Sequence, residues 1–214
     1  MKILVGARSS PLSRAQFEEI RNNPHLTCCE LEPVWEETAG DKDKKTSLRT
    51  QDKTNFFTKE LDEMLLQGTI RVAVHSAKDL PDPLPEGLSL IALTKGVDPR
   101  DSLVFREGMD LYSLPPNAKI GTSSLRREEM IRSLRSDLIF VDIRGTIEER
   151  LSLLERGVVD GLVVAEAAII RLRLEIPNRQ ILPGETALHQ GRLAILAREE
   201  DEEMKTLFAP LHSI

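Results

Sequence analysis

Apolar positions along this chain switch between a spacing of two and a spacing of three to four, and the switches mark out its elements. "KILVGA" near the start reads as a strand. Ser10-Pro11 then opens a helix, because serine caps free amides and proline is tolerated at the first helical position. "FFTKELDEMLLQG" puts Phe57, Leu61 and Leu65 on one helical face and stops at Gly68, a plausible residue just past a helix end. Directly afterwards Ile70, Val72 and Val74 alternate with Arg71, Ala73 and His75, the period of a strand, and within "VAVHSAKDLP" Lys78 and Asp79 sit just past its end, before Pro81. "LSLIALT" and "DSLVF" are further strands on either side of Asp98-Pro99. A second strand, turn and helix follows in "AKIGTSSLRREEMIRSLRSD", then the strand "LIFVDI", the helix "TIEERLSLLERG" with Ile147, Leu151 and Leu154 in one stripe, and the strand "DGLVVA".

Strands that alternate with helices imply an α/β protein whose sheets are mixed but mainly parallel, with helices packed on their faces. "ILVGARSSPLSR" and "AKIGTSSLRR" resemble each other, each a strand, a glycine, small hydroxyl residues and a helix carrying arginine. This favours two similar lobes, residues 1–94 plus 190–214 and residues 95–189, with crossings near Thr94 to Pro99 and Gly184 to Gln190. "WEETAGDKDKKTSLRTQDKTN" is dense in charge without apolar period and reads as a surface loop.

Composition narrows the classes. A net charge of -6 lacks the broad basic surface of a general nucleic-acid binder, so no nucleic-acid partner is expected and any anion binding is local. The N-terminal apolar run is too short for a secretory signal, and no apolar stretch is long enough to span a bilayer, so a soluble cytoplasmic monomer without membrane contact is the expectation. Cys28 and Cys29 are adjacent and the histidines scattered, patterns that suit neither a disulfide framework nor a metal site.

Candidate chemistry gathers where strands end. Thr122, Ser123 and Ser124 fall at a helix start, with Arg126 and Arg127 as planar cationic forks for carboxylate or phosphate. A capped helix with a solvated basic face is the plainer alternative. Arg144, Gly145 and Arg150 repeat the arrangement, where Glu148 and Glu149 offer surface ion pairs instead. Arg8 closes the first strand ahead of Ser9 and Ser10, and Lys78 and Asp79 follow another. In a parallel sheet such ends share an edge, the usual place for ligands. The predicted ligand is a polyanion bearing carboxylates. Asp79, an acid among bases, suits proton transfer or the stabilisation of a developing cation, or else an ion pair with Lys78 or an arginine.

In "GARSSPLSRAQ", "FFTKELDEMLL", "VAVHSAKDLP", "DPRDSLV", "IGTSSLRR", "IRGTIEERL" and "GLVVAEAAIIRL", taken in order and at their spacing, the chain resembles the porphobilinogen deaminase (hydroxymethylbilane synthase) family over nearly its whole length. The resemblance implies two lobes of the periplasmic-binding-protein type. It also implies a transferase of tetrapyrrole and haem biosynthesis that joins porphobilinogen head to tail into the linear tetrapyrrole hydroxymethylbilane, releasing ammonia at each step. Asp79 matches the catalytic aspartate, which stabilises the azafulvene cation and assists the later deprotonation. Arg8, Ser10, Lys78, Arg126, Arg127, Arg144, Arg150 and Arg171 match positions holding the acidic arms of cofactor and substrate, with Ser76, Thr122 and Ser124 as polar support. Lys78 and Asp79 would then face a cleft between lobes.

The implied cofactor is dipyrromethane, which the family anchors by thioether to a cysteine of a third, smaller domain. That domain is not recognisable in this sequence, and Cys28 and Cys29 lie elsewhere, so the attachment cysteine is not recognisable either. A catalytically silent two-lobe protein binding a pyrrole or other polycarboxylate is the alternative. Four local departures bear on the site: "KTNFF" replaces a Gly-rich loop, Thr146 an asparagine, Ala168 a glycine, and Glu166 a small residue. Glu166 is placed to pair with a site arginine and weaken carboxylate binding.

Overall fold

Strand β1 (Lys2–Arg8) runs into Ser10, whose Oγ accepts from the Ser13 amide at 3.2 Å and starts helix α1 (Pro11–Arg21) with Pro11 in its first turn. The computed structural model describes residues 1–43, 46–47, 49 and 55–213. Among them the chain divides into two units: Met1–Asp43, Lys53–Val97 and Leu188–Ile214 in the first, Lys44–Asp52 and Asp98–Ala187 in the second.

In the first unit α1 is followed by β2 (Glu30–Glu36), the short helix α2 (Ala39–Lys42), α3 (Lys59–Leu66), β3 (Val72–Ser76) and β4 (Leu88–Leu93). Once the chain has passed through the second unit it returns with β10 (Leu193–Arg198) and α7 (Glu202–Phe208). The sheet order is β2-β1-β3-β10-β4. β1 pairs in parallel with β2 and β3, whereas β10 lies antiparallel to β3 and β4. One face buries Ile3, Val5, Phe17, Val74, Ile195 and Phe208 together, and Leu61, Leu65, Ala73 and Leu196 form a second cluster. Gly68 sits just past α3 with φ +73°, a left-handed turn that glycine adopts without strain.

The second unit contains β5 (Asp101–Phe105), β6 (Lys119–Gly121), α4 (Leu125–Leu134), β7 (Ile139–Val141), α5 (Ile147–Glu155), β8 (Gly161–Ala165), α6 (Glu166–Arg171) and β9 (Arg179–Ile181). Its order is β7-β6-β8-β5-β9, with β6 parallel to β7 and β8, and β5 antiparallel to β8 and β9. Leu103, Leu111, Ile120, Ile131 and Val163 make its core.

The fold is α/β, two mixed five-stranded sheets with flanking helices. Each sheet has two parallel and two antiparallel pairings. The parallel half is the part built from strand, helix, strand crossovers, and the rest comes from strands by which the chain enters or leaves a unit. β1 and β6 occupy the same place in their sheets, so the likeness of "ILVGARSSPLSR" to "AKIGTSSLRR" reflects a shared topology.

The surface loop expected over 35–55 is corrected in its first part. Trp35 and Glu36 close strand β2, and Ala39–Lys42 is helical. β2 was hidden because an edge strand with Pro33 and three glutamates lacks a clean alternation, yet Trp35 packs edge-on against Phe17 with ring centroids 5.4 Å apart. Residues 44, 45, 48 and 50–54 of that stretch lie outside the described residues. The strand through His75 is also not half-exposed as its alternation suggests, since Val72, Ala73, Val74 and His75 are all buried.

Candidate functional site

In the first unit the parallel pairing of β1 with β3 brings the end of β1 and the turn after β3 to one sheet edge. Arg8 Nε donates to Asp41 Oδ2 at 3.0 Å, Nη2 donates to Oδ1, and the guanidinium carbon lies 4.5 Å from the Phe57 ring centroid. Burial by itself would raise the Asp41 pKa, but hydrogen bonds and charge from Arg8, with bonds from Thr38, outweigh it and hold the carboxyl below its ordinary value. Ser76 ends β3, and its hydroxyl accepts from Gln16 Nε2 at 2.7 Å. Ala77–Asp79 then forms a single 3-10 turn. Lys78 Nζ donates to Gln190 Oε1 at 3.3 Å. Asp79 is half-buried, and its carboxylate makes no hydrogen bond or ion pair with another described residue. The alternative of an Asp79 ion pair with Lys78 or an arginine is therefore not realised among these residues.

His75 lies beneath this edge. Burial, reinforced by the charge of Arg8, pushes its pKa down to about 3, and Nε2 has no hydrogen-bond partner. It is a neutral imidazole at any ordinary pH.

In the second unit β7, β6 and β8 run parallel, so their C-terminal ends share an edge. The three hydroxyls expected to converge after β6 do not. Thr122 is buried, with Oγ1 accepting from the Ser124 amide at 3.2 Å, and Ser123 is tied to the Ile143 backbone, donating to its carbonyl and accepting from its amide at 3.1 Å. Ser124 precedes α4 without capping it through its side chain. Satisfying buried backbone groups between neighbouring strand ends won over capping.

Arg126 and Arg127, in the first turn of α4, both reach Asp101, which opens β5. Each donates an Nη2 proton to it at 2.6 Å, and Arg126 Nη1 donates to the Glu185 carbonyl at 2.6 Å. Arg144 stands three residues beyond the end of β7 rather than at it. Gly145 has φ +103°, and a Cβ there would crowd the Glu149 carboxylate. Thr146 caps α5: Oγ1 accepts from the Glu149 amide at 3.3 Å, and Glu149 Oε2 accepts from the Thr146 amide at 2.8 Å. Glu149 is thus engaged by the helix cap, and Arg150 Nε donates to the Gly145 carbonyl at 2.9 Å. Arg171 ends α6, and Ala168 is buried in the same helix.

Glu166 does not capture a predicted site arginine in these bonds. Its buried carboxylate accepts from the Ser102 hydroxyl and from Arg179 Nε at 2.8 Å. Asp41, Asp101 and Phe57, the groups that hold Arg8, Arg126 and Arg127, were not expected from the sequence as parts of the site. For Asp101 a signal existed in "DPRDSLV", an acid opening a mostly apolar strand. No cluster of three or more histidine, cysteine or acidic side chains suited to a metal occurs among the described residues, and Cys28 and Cys29 are free thiols.

Comparisons with known proteins bear on the family and the fold. Residues 3–206 match the family described as "Porphobilinogen deaminase, dipyromethane cofactor binding domain". Porphobilinogen deaminase of Caldicellulosiruptor saccharolyticus is 45% identical over 81% of this chain, which spans 60% of that protein's length. The enzyme of the same name from Roseiflexus sp. is 38% identical over 98% of this chain and 71% of its own. Among solved structures, lipoprotein Tp32 of Treponema pallidum superposes with a TM-score of 0.60 over 97% of this chain and 88% of its own, at 13% identity. That likeness concerns the fold, which is of the periplasmic-binding-protein type. With its sequence motifs, its topology and a family match running nearly from end to end, the chain belongs to the porphobilinogen deaminase family.

Proposed function

We propose that this chain catalyses the stepwise head-to-tail condensation of porphobilinogen into hydroxymethylbilane with release of ammonia, as a cytoplasmic monomer needing neither nucleic acid nor membrane. The observation that carries the reading is Asp79: a half-buried carboxylate with no partner among the described residues, on the same sheet edge as Arg8 and Lys78. A carboxylate left uncommitted in such a setting is suited to a cation that forms transiently. Each step breaks the bond between the aminomethyl carbon and its nitrogen, leaving a cationic pyrrole, and ammonia departs. A carbon–carbon bond then forms to the free α-carbon of the next pyrrole, whose α-proton must be removed, and water adding to the last cationic pyrrole supplies the terminal hydroxyl of hydroxymethylbilane. Asp79 stabilises the cation and takes part in that proton's removal.

Arg8, Lys78, Arg126, Arg127, Arg144, Arg150 and Arg171 bind the acetate and propionate arms, with Ser10, Ser76, Thr122 and Ser124 as polar support. Guanidinium forks suit carboxylates through paired N–H donors. The donor set also fits the dipyrromethane of the family's description, because Arg127 carries a buried Nε with no acceptor, a donor that a carboxylate arm would satisfy. When bound, that group supplies the free pyrrole position from which the chain is extended. No helix of the described residues is long and apolar enough to cross a membrane, and the reading asks nothing of a second copy.

The test is porphobilinogen consumption by the purified full chain, with product read as porphyrin absorbance after acid oxidation. Consumption with ammonia release and tetrapyrrole product is the expected result. Tight binding of porphobilinogen with no release of ammonia would replace the enzyme by a silent polycarboxylate-binding protein.

A further inference from the structure

Asp101 is the first residue of β5, its side chain is 1% exposed, and pairing with Ala165 places it at the C-terminal end of β8. There it faces the start of α4. Oδ2 accepts from Arg126 Nη2 and Oδ1 from Arg127 Nη2, both at 2.6 Å, so one carboxylate bridges two guanidiniums. Arg126 also spends Nη1 on the Glu185 carbonyl. Arg127 has a side chain only 11% exposed, and its Nε is buried with no hydrogen-bond partner among the described residues. A buried charged N–H without an acceptor is costly, and the fold tolerates it here beside a fully buried carboxylate.

We infer that Asp101 is a positioning residue of the carboxylate site: it fixes both guanidiniums from the protein side, reserving Arg127 Nε–H for one carboxylate arm of the ligand. Its burial rules out a role as a mobile stand-in for the ligand, since a side chain at the first position of a central strand has nowhere to swing. This rests on the reading that a carboxylate-armed pyrrole is the substrate, but its test is separate from turnover.

The experiment follows arginine Nε–H resonances while porphobilinogen is added to the full-length Asp79→Asn protein, with the Arg127 signal identified by its loss in Arg127→Lys. The expected result is that the Arg127 signal moves on binding. Adding Asp101→Asn should weaken binding about tenfold, the scale of one charged hydrogen bond, and should weaken it less than twofold further once Arg127 is lysine. An Arg127 signal that stays put at saturation overturns the inference without any variant at position 101. So does unchanged or tighter binding in Asp101→Asn, or a loss that is the same with and without Arg127. Movement of the signal with no turnover in the wild-type chain would leave the inference standing and fell the catalytic reading, whereas turnover with an unmoved signal would do the reverse.

Discussion

Asp79 and His75 sit four residues apart on one strand and turn, yet their surroundings give them opposite characters. His75 is closed in on both sides of the sheet and kept neutral, while Asp79 lies just past the strand end with its carboxylate uncommitted among the described residues. Replacing Asp79 with asparagine keeps shape but removes the charge and the proton acceptor. The expected outcome is a fall in kcat of about a hundredfold or more, with porphobilinogen affinity kept within about threefold. Steady-state rates set beside a binding isotherm would check this, and equal losses in both would make Asp79 a binding group. The motif containing both residues was legible in the sequence. Their contrast was not, because burial depends on β1 and β10 flanking β3.

At the scale of elements, the starts of α1, α4 and α5 are capped by different means. Ser10 caps α1 by its hydroxyl alone, Thr146 caps α5 with a reciprocal bond from Glu149, and Ser124 leaves α4 without a side-chain cap. Thr146→Ala should therefore cost about 1 kcal/mol of stability, and Ser124→Ala much less, in paired denaturant titrations. Because Thr146 also sets the turn after Arg144 and Gly145, its loss should raise KM for porphobilinogen more than it lowers kcat. Ser10 as a cap could be read in sequence from Ser-Pro at a helix start. The use of Ser123 to tie two strand ends together could not, since Ile143 lies twenty residues away along the chain.

For the whole molecule, acid should be the weak side. The His75 pKa is lowered to about 3 in the fold against 6.5 for an ordinary histidine, so below pH 6.5 the unfolded chain binds a proton that the native one refuses. Stability is then lost as pH falls, at about 1.4 kcal/mol per pH unit towards pH 3. Asp41 adds to this at lower pH: its folded pKa is depressed, so its contribution is present above the ordinary carboxylate range and lost as pH drops through the folded value. Thermal melts from pH 7 to 4 should show a falling Tm, and His75→Leu should flatten that slope. A wild-type Tm that does not change over this range would mean that His75 takes up a proton inside the fold.

The sequence by itself determined most of the alternation of strands and helices, though not edge strand β2, and the α/β class and the family, because those depend on local periodicity, caps and motifs that survive without knowing what lies beside them. It also presented the arginines as a carboxylate-directed set, with Asp79 as the one acid among them. What only the tertiary structure decided was which charges are already matched: Arg8 with Asp41, Arg126 and Arg127 with Asp101, and Glu166 with Arg179 and Ser102. Such pairs join residues from 13 to 64 positions apart, and their partners are chosen by sheet register, which a linear pattern does not encode.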